Sequence, residues 1–454
     1  MKIVLLNPPY HYSVVREGRC QHETAIWDSI YPPLSLATMA SFLRDDHQVS
    51  IIDSIALGID TPALLKDLAE RKPGLVIVSI STPTIHEDLS VLKQVKKHTG
   101  AKIAVFGVHA TYYADDLIKE DYIDYVLLND PDLAAARIAA GEIEGVEGTV
   151  LKGKDGRIIR TPSDKDRTIN FRPPAWDLVD LKKYKIPIKG KSYVLVTTAR
   201  GCPFNCTFCV VPFYSGRHVR VREIPEVIEE LKAVSASVRD VFFHTDLFTF
   251  KKDYVLKLCD AMVRENLNLR WICNSRVDTF DLETAQAMKK AGCWMVSFGI
   301  ESGSQKILDL CGKKITLDQS RAAVAAARRA GLLTIGHFVL GFPGETEETL
   351  TQTLKFSKAV NPDFVEYYIA TPFPGSELFE RIKENIPLDW KDIRYDHNPY
   401  KYPFDLAKIR KKAYFGFYLR PAKMFSFIRI FGIGKIFSMA ISGVRFLWSF
   451  KGGK

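Results

Sequence analysis

The sequence predicts an α/β protein made of two parallel-sheet units in series, followed by a basic helical tail. Three observations predict it. Short apolar runs alternate with amphipathic segments through residues 1–145, and the same alternation resumes through 191–385. Residues 146–190 break that rhythm with turn-forming residues and form a linker. After Asp405 the composition changes: no acid follows, and residues 386–454 become a basic helical region. A chain of 454 residues has room for two or three cores, and 46% hydrophobic with 26% charged residues is a globular balance.

In the first unit, strands are expected at 2–7, 48–53, 75–80, 102–107 and 123–128. Helices are expected near 34–44, 61–71, 87–98 and 132–140. This is a doubly wound, Rossmann-like pattern, and its ligand belongs beyond the carboxyl ends of the strands. The first strand runs into Asn7-Pro8-Pro9, so the Gly-x-Gly-x-x-Gly turn of a dinucleotide site is missing. The apolar start breaks at those two prolines and reads as a buried strand, not a signal peptide. In the linker, Gly-Lys-Asp-Gly at 153–156 predicts a hairpin turn, and Arg172-Pro173-Pro174 an extended crossing.

The second unit begins with its most specific feature, Cys202-Pro203-Phe204-Asn205-Cys206-Thr207-Phe208-Cys209, directly after the expected strand 193–197. Three thiols at this spacing can converge on one metal centre, and thiolates suit zinc and iron–sulfur clusters. A structural zinc site wants four protein ligands, but the next cysteine is Cys259 and the only nearby histidine is His218. A disulfide reading is weak, because eight cysteines in a long chain with no secretory leader point to a reducing, cytoplasmic compartment. The favoured reading is a four-iron cluster whose fourth iron stays open.

Further strands are expected at 240–245, 269–274, 294–300, 333–341 and 364–370. Helices fall near 223–235, 251–265, 282–291, 317–330 and 345–360. Six such units make a partial (βα)6 barrel, with its site at the strand C-termini. Those ends read His244-Thr245-Asp246, Asn274-Ser275-Arg276, Gly299-Ile300-Glu301-Ser302-Gly303 and Leu340-Gly341-Phe342-Pro343-Gly344-Glu345. Which way His244 faces is open, and Cys273, Cys293 and Cys311 read as buried, inert thiols.

The cysteine motif, with Phe208 in the aromatic slot before Cys209, resembles that of the radical S-adenosylmethionine (SAM) enzymes. The resemblance implies a 4Fe–4S cluster on Cys202, Cys206 and Cys209, with SAM chelated by the open iron and cleaved to a 5′-deoxyadenosyl radical. It implies SAM contacts from Phe208, Asp246, Asn274, Glu301 and Gly303, with Gly341 near the adenine. Many relatives carry paired acids where this chain has Thr245-Asp246. The first unit resembles the cobalamin-binding domain that precedes many such barrels. Pro9, Asp53, Ser79, Ser81, Thr82, Gly107, His109 and Ala110 are then the implied cobalamin contacts, the small residues letting the nucleotide tail thread between strands. Methionine synthase ligates cobalt through Asp-x-His-x-x-Gly; here the run is Asp53-Ser54-Ile55-Ala56-Leu57-Gly58, and isoleucine cannot ligate. A domain that binds nothing and only buttresses the barrel is the plain alternative.

Net charge is +10, yet eleven basic residues lie beyond Asp405; taking these eleven from +10 leaves the first 405 residues at −1. The body is therefore not a nucleic-acid surface. Tyr414 to Pro421 resembles an aromatic helix end closed by Arg-Pro in this family. Lys435, Ser438, Ser442, Arg445 and Ser449 fall on one stripe of a helix whose remainder is apolar. That pattern suits a membrane interface through 421–449, at the inner face, with docking onto the barrel or a second subunit as the alternative. No run of eighteen uncharged apolar residues predicts a spanning helix. The expected function is a cobalamin-dependent radical SAM enzyme methylating an unactivated carbon of a hydrophobic lipid or tetrapyrrole. An electron donor such as ferredoxin or flavodoxin is its partner. Cyclisation or rearrangement without methyl transfer, and a noncatalytic iron–sulfur or corrinoid module, are the alternatives.

Overall fold

The computed structural model describes residues 1–431 apart from 12–13, 18–21, 24–29, 144, 154, 165–170, 187–189 and 386–402. Its first sheet contains β1 (Lys2–Asn7), β2 (Gln48–Asp53), β3 (Leu75–Ser79), β4 (Lys102–Phe106) and β5 (Tyr125–Leu127). They are parallel, in the order β2-β1-β3-β4-β5. The strands are apolar on both sides because helices cover both faces. Leu64 and Leu68 of α2 (Thr61–Arg71) and Leu92 of α3 (Ile85–Thr99) pack on one face. Leu36 and Met39 of α1 (Leu34–Leu43) and Ile138 of α5 (Asp132–Ala139) pack on the other.

Two local differences from the expected elements have plain causes. The segment after β4 forms a short helix, α4 (Val108–Tyr112), entered from Gly107 at φ +124°. A Cβ at Gly107 would lie 2.5 Å from the Ile80 carbonyl oxygen, so only glycine fits this close approach. The hairpin expected in the linker is present, but it extends the first sheet: β6 (Thr149–Lys152) pairs antiparallel with β5, and β7 (Ile158–Thr161) antiparallel with β6. They cover an edge that would otherwise be left open.

The second sheet has β8 (Lys191–Val196), β9 (Asp240–Phe243), β10 (Arg270–Arg276), β11 (Cys293–Glu301), β12 (Leu333–Leu340) and β13 (Phe364–Ile369), parallel and in chain order. Their outer helices are α6 (Ile224–Ser235), α7 (Lys252–Arg264), α8 (Leu282–Lys290), α9 (Gln305–Leu310), α10 (Leu317–Arg329) and α11 (Glu347–Val360). Fully buried Trp271, Phe243, Phe298, Phe338 and Tyr367 fill the core between sheet and helices.

A six-stranded barrel leaves two edges, and this chain covers both. Lys185–Ile186 pairs antiparallel with β8. At the other edge, α13 (Leu406–Tyr418), preceded by α12 (Glu377–Ile382), turns tyrosines onto β13. Tyr418 Oη accepts from Val365 N at 2.9 Å and Tyr414 Oη accepts from Tyr367 N at 3.1 Å. The aromatic segment singled out in the sequence is thus an edge seal. The last described helix, α14 (Pro421–Phe431), stacks Phe427 on Phe364 while Met424, Phe425 and Ile428 stay exposed. The helix expected at 435–449 lies outside the described residues.

Candidate active site between the two sheets

The carboxyl ends of the two sheets meet across a seam. Asp130, just past β5, accepts from Arg200 Nη1 at 2.9 Å and from Arg220 Nη1 at 2.9 Å, one on each oxygen. Asp132 takes Arg200 as well, at 3.1 Å. Asn129 Nδ2 donates to the Tyr214 carbonyl at 2.8 Å, and Tyr184 Oη donates to Asp53 Oδ2 at 2.8 Å. Arg200 is the residue before Gly201-Cys202, so the seam holds the start of the cysteine loop.

That loop is fastened along its length. Gly201 N donates to Asp246 Oδ2 at 2.9 Å, and Thr207 N donates to the Cys311 carbonyl at 3.0 Å. Leu378 N donates to the Thr207 carbonyl at 2.7 Å. Gly201 sits at φ +95°, and a Cβ there would lie 2.1 Å from the His218 carbonyl oxygen. Phe208 packs against Phe342 at 5.3 Å between ring centroids. Cys202 is buried, while Cys206 and Cys209 are half-buried.

All three thiols line a cleft of about 250 Å³ inside the barrel mouth. Phe208, Asp246, Asn274 and Glu301 line it too. Two cations stand beside the sulfurs. Arg276 Nη1 lies 3.7 Å from Cys206 Sγ, with its guanidinium 3.7 Å over the Phe204 ring. Burial opposes its charge, but Asp278 and the sulfurs of Cys206 and Cys202 raise its pKa above the ordinary value. Lys313 Nζ donates to Glu301 Oε1 at 2.6 Å, both buried. Burial again opposes the Lys313 charge, and Glu301 and Cys206 raise its pKa despite that. Glu301 is held at φ +64°, and a Cβ at Gly299 would come 2.5 Å from its carboxylate. Among the described residues no three His, Cys, Asp or Glu are set to hold one metal ion. Three thiols on one loop with no fourth protein ligand are a donor set that fits an iron–sulfur cluster.

Gly303 and Gly341 take other positions. A Cβ at Gly303 would meet Phe356 at 2.4 Å, so this glycine packs the turn after β11 onto α11. Gly341 N and Phe342 N both donate to Glu345, whose carboxyl burial pushes up to about 7.

A second cleft of about 140 Å³ lies above the first, across the seam. Ser79 and Gly107 line it. Ser81, Thr82, His109 and Ala110 are packed inside the first domain instead. Ser81 N donates to Asp88 at 3.1 Å, and Thr82 Oγ1 lies 3.2 Å from His109 Nδ1. Burial, then His86, lowers the His109 pKa to about 3, so this ring is neutral. Asp53 accepts from Ala56 N and Tyr184, and Pro9 is buried at the end of β1. At the ends of β1 and β3, Arg16 reaches the Pro8 and Ser79 carbonyls and is bound through both nitrogens to Asp88, at 2.8 and 3.0 Å. Nearby, Asn7 Oδ1 and Ser54 Oγ, at the ends of adjacent strands, are buried and reach no partner among the described residues. That unmet capacity, and the close approach at Gly107, fit a polar ligand over these strand ends.

The two clefts share Glu17, His244, Asp246 and Asn274. His244, whose direction was open, therefore faces the ligand space. Glu17 was missed: it sits in a charged loop with no motif spacing to mark it. Its carboxylate accepts from Ser35 N at 3.1 Å and Ser35 Oγ at 2.7 Å. Burial pushes its pKa up to about 7 against those bonds, with Asp53 raising it and Arg200 lowering it. Arg276 was visible as a strand-end residue but given no role. Lys313 carried no signal, because its partner Glu301 is twelve residues away. Cys273, Cys293 and Cys311 are buried in the barrel, where burial raises the Cys273 pKa and pushes that of Cys311 up to about 12.

A partial parallel barrel with three thiols on its first loop, roofed by a nucleotide-type sheet, defines an iron–sulfur enzyme class with a second cofactor above the cluster. Comparison with known proteins agrees. Residues 196–357 match the radical SAM superfamily and residues 27–139 match the B12 binding domain. The chain is 32% identical over 439 residues to the uncharacterized methyltransferase PH0819 of Pyrococcus horikoshii, covering 93% of each. It is 24% identical to the anaerobic magnesium-protoporphyrin IX monomethyl ester cyclase of Rubrivivax gelatinosus, over 86% of this chain and 71% of that one. The fold is that of the radical SAM methyltransferase TsrM from Kitasatospora setae, with TM-score 0.68, 20% identity and coverage of 85% and 75%. The chain belongs to the radical SAM enzymes that carry a B12-binding domain, with a 4Fe–4S cluster, SAM and cobalamin as cofactors.

Two measurements test this geometry. Gly201→Ala should lose most of the iron bound after anaerobic reconstitution, since the new methyl displaces the loop from His218; iron retained at the wild-type level would contradict the anchoring. Glu17 has its pKa raised in the folded protein, so its contribution to stability is complete below about pH 4.5 and fades as pH rises through about 7. The shift corresponds to about 3 kcal/mol. Glu17→Gln should flatten the dependence of the urea midpoint between pH 5 and 8; an unchanged slope would remove Glu17 as its source.

Proposed function

We propose that the protein is a methyltransferase acting on an unactivated carbon of a hydrophobic small molecule, a lipid or a tetrapyrrole. One observation carries the reading: the thiol-lined cleft and the cleft under the first sheet are neighbours with Glu17, His244, Asp246 and Asn274 in both walls, which supports two cofactors acting on one substrate there. When bound, the cluster with SAM supplies a carbon-centred radical and cobalamin supplies a carried methyl group. The residues that would hold them follow from the geometry. Cys202, Cys206 and Cys209 would ligate the cluster. Asp246, Asn274 and the Glu301–Lys313 pair would contact SAM, and Ser79 and Gly107 would lie against the corrin.

The protein's own work is to orient these groups and to exclude water. Aromatic and aliphatic walls at Tyr31, Phe204, Leu247, Val339, Tyr368 and Phe373 give the cleft its apolar character, which suits a hydrophobic substrate. His337 and Tyr368 stack in the same wall, with Tyr368 Oη 3.3 Å from His337 Nδ1, and offer polar contacts to a substrate heteroatom. The cyclase relative supports a second reading, in which the same cofactors act without methyl transfer. A reductant is required in either case, and a ferredoxin or flavodoxin is the proposed donor.

Among the described residues no helix is long and apolar enough to cross a membrane. We place the tail through 421–449 at a membrane surface. Exposed Leu419, Met424, Phe425 and Ile428 support this, since such a patch beside basic residues suits anionic lipid.

With SAM and dithionite, the reconstituted protein should release deoxyadenosine, and Cys206→Ala should release none. With trideuteromethyl SAM and a lipid extract, the wild type should yield a product carrying the labelled methyl. Deoxyadenosine without any labelled product would favour the second reading. Separately, the full chain should float with anionic liposomes and a chain ending at residue 420 should not; equal flotation of the two would dismiss the membrane face.

A further inference from the structure

Cys206 and Cys209 line two separate spaces. They face the inner cleft, and they also form part of a recess of about 410 Å³ on the outside of the protein. Asn205, Pro212, Phe213, Arg217, Gly375, Glu377 and Glu380 complete that recess. The cysteine loop is thus a thin wall with cofactor space on one side and solvent on the other. Cys202, by contrast, is buried, lines only the inner cleft of these two, and clusters with Val211 and Leu247.

We propose that this outer recess is the port through which a protein electron donor reduces the cluster, and that the donor is an acidic one-electron carrier of the flavodoxin or ferredoxin kind. The inference rests on the assignment of the three cysteines to a cluster and adds where and how its reductant docks. SAM and substrate would fill the inner side, which leaves the wall's other face for a protein donor. In the step itself one electron leaves the donor and enters the cluster; no bond forms or breaks and no proton moves.

Charge chooses the partner. Of the acids at the recess, Glu377 is paired with Arg381 and Glu380 with Lys383 at 2.5 Å. Tyr112 Oη also donates to Glu380 at 2.7 Å. Arg217 is exposed and is not ion-paired within the described residues, so the free charge at the rim is positive. His218 beside it is exposed as well. Pro212, Phe213 and Gly375 give a partly apolar floor. A small apolar patch with a charged rim is the anatomy of a weak electron-transfer encounter, in which rim charges act mainly on the association rate.

The test uses the full chain, an acidic flavodoxin with its reductase, and two substitutions of opposite sign. Arg217→Glu should lower flavodoxin-driven deoxyadenosine formation by about tenfold in kcat/KM at low ionic strength, the low end of the range over which interface charges move association. Glu377→Gln should raise it. Dithionite-driven rates should match wild type in both, and added salt should erase the differences. Binding of oxidised flavodoxin to the cofactor-free chain, followed by flavin fluorescence, should weaken with Arg217→Glu by a similar factor and stay unchanged in the control Lys97→Glu on α3. Wild-type binding and rates with flavodoxin in Arg217→Glu would overturn the port. So would a loss of rate that is equal with dithionite, since the substitution would then act on the cluster itself. No deoxyadenosine from the wild type with either reductant would instead overturn the cluster assignment, and the port with it.

Discussion

The arrangement depends on one carboxylate. Asp130 stands at the end of the first sheet and binds two guanidinium groups of the second domain, Arg200 and Arg220. Asp132 reinforces Arg200, and the cluster is mostly shielded from water. Burying four charges is costly, and such groups are kept where position matters more than stability. Here the position is that of Gly201 and Cys202, which follow Arg200 directly. The first domain therefore sets where the cysteine loop begins, and any ligand beneath the first sheet is held at a fixed offset from any ligand in the barrel.

A second set of buried charges lies inside the barrel and answers a different need. A cluster held by three cysteines would carry net negative charge there, and the carboxylate of SAM would add to it. Arg276 and Lys313 supply two cations at the same place, each paired with a carboxylate, Asp278 or Glu301. The pairs thus let the cations stay buried and protonated. An anion entering the cleft meets groups already oriented, so less reorganisation is needed on binding.

The open barrel imposes its own constraint. Six parallel strands cannot close, and unpaired backbone at either edge would invite association with another chain. Lys185 and Ile186 cover one edge, while Tyr414, Tyr418 and Arg410 satisfy the other with side-chain groups. Because hydroxyls replace a seventh strand, the edge is sealed without closing the barrel. Tyr368 and His337, on the last two strands, line the cleft.

Most strands and helices were legible because periodicity reports burial directly: the alternation places β8 to β13 and α6, α7, α8, α10 and α11 within a residue or two, while the six-residue α9 is too short to show a period. The cysteine loop was legible because its chemistry needs close spacing in sequence. Other site residues were hidden for the complementary reason. Glu17, Arg276 and Lys313 come from three loops or strand ends, and each acquires meaning only through a partner: Ser35, Cys206 or Glu301. Small residues carry a double signal. Ser81, Thr82 and Ala110 read as room for a ligand, but smallness also lets α3 and α4 approach the strand ends, where these residues are buried. Spacing in sequence can announce a ligand set borne by one loop. It cannot announce a charge pair assembled across a cleft, because the distance that matters there is fixed only once both sheets have folded and met.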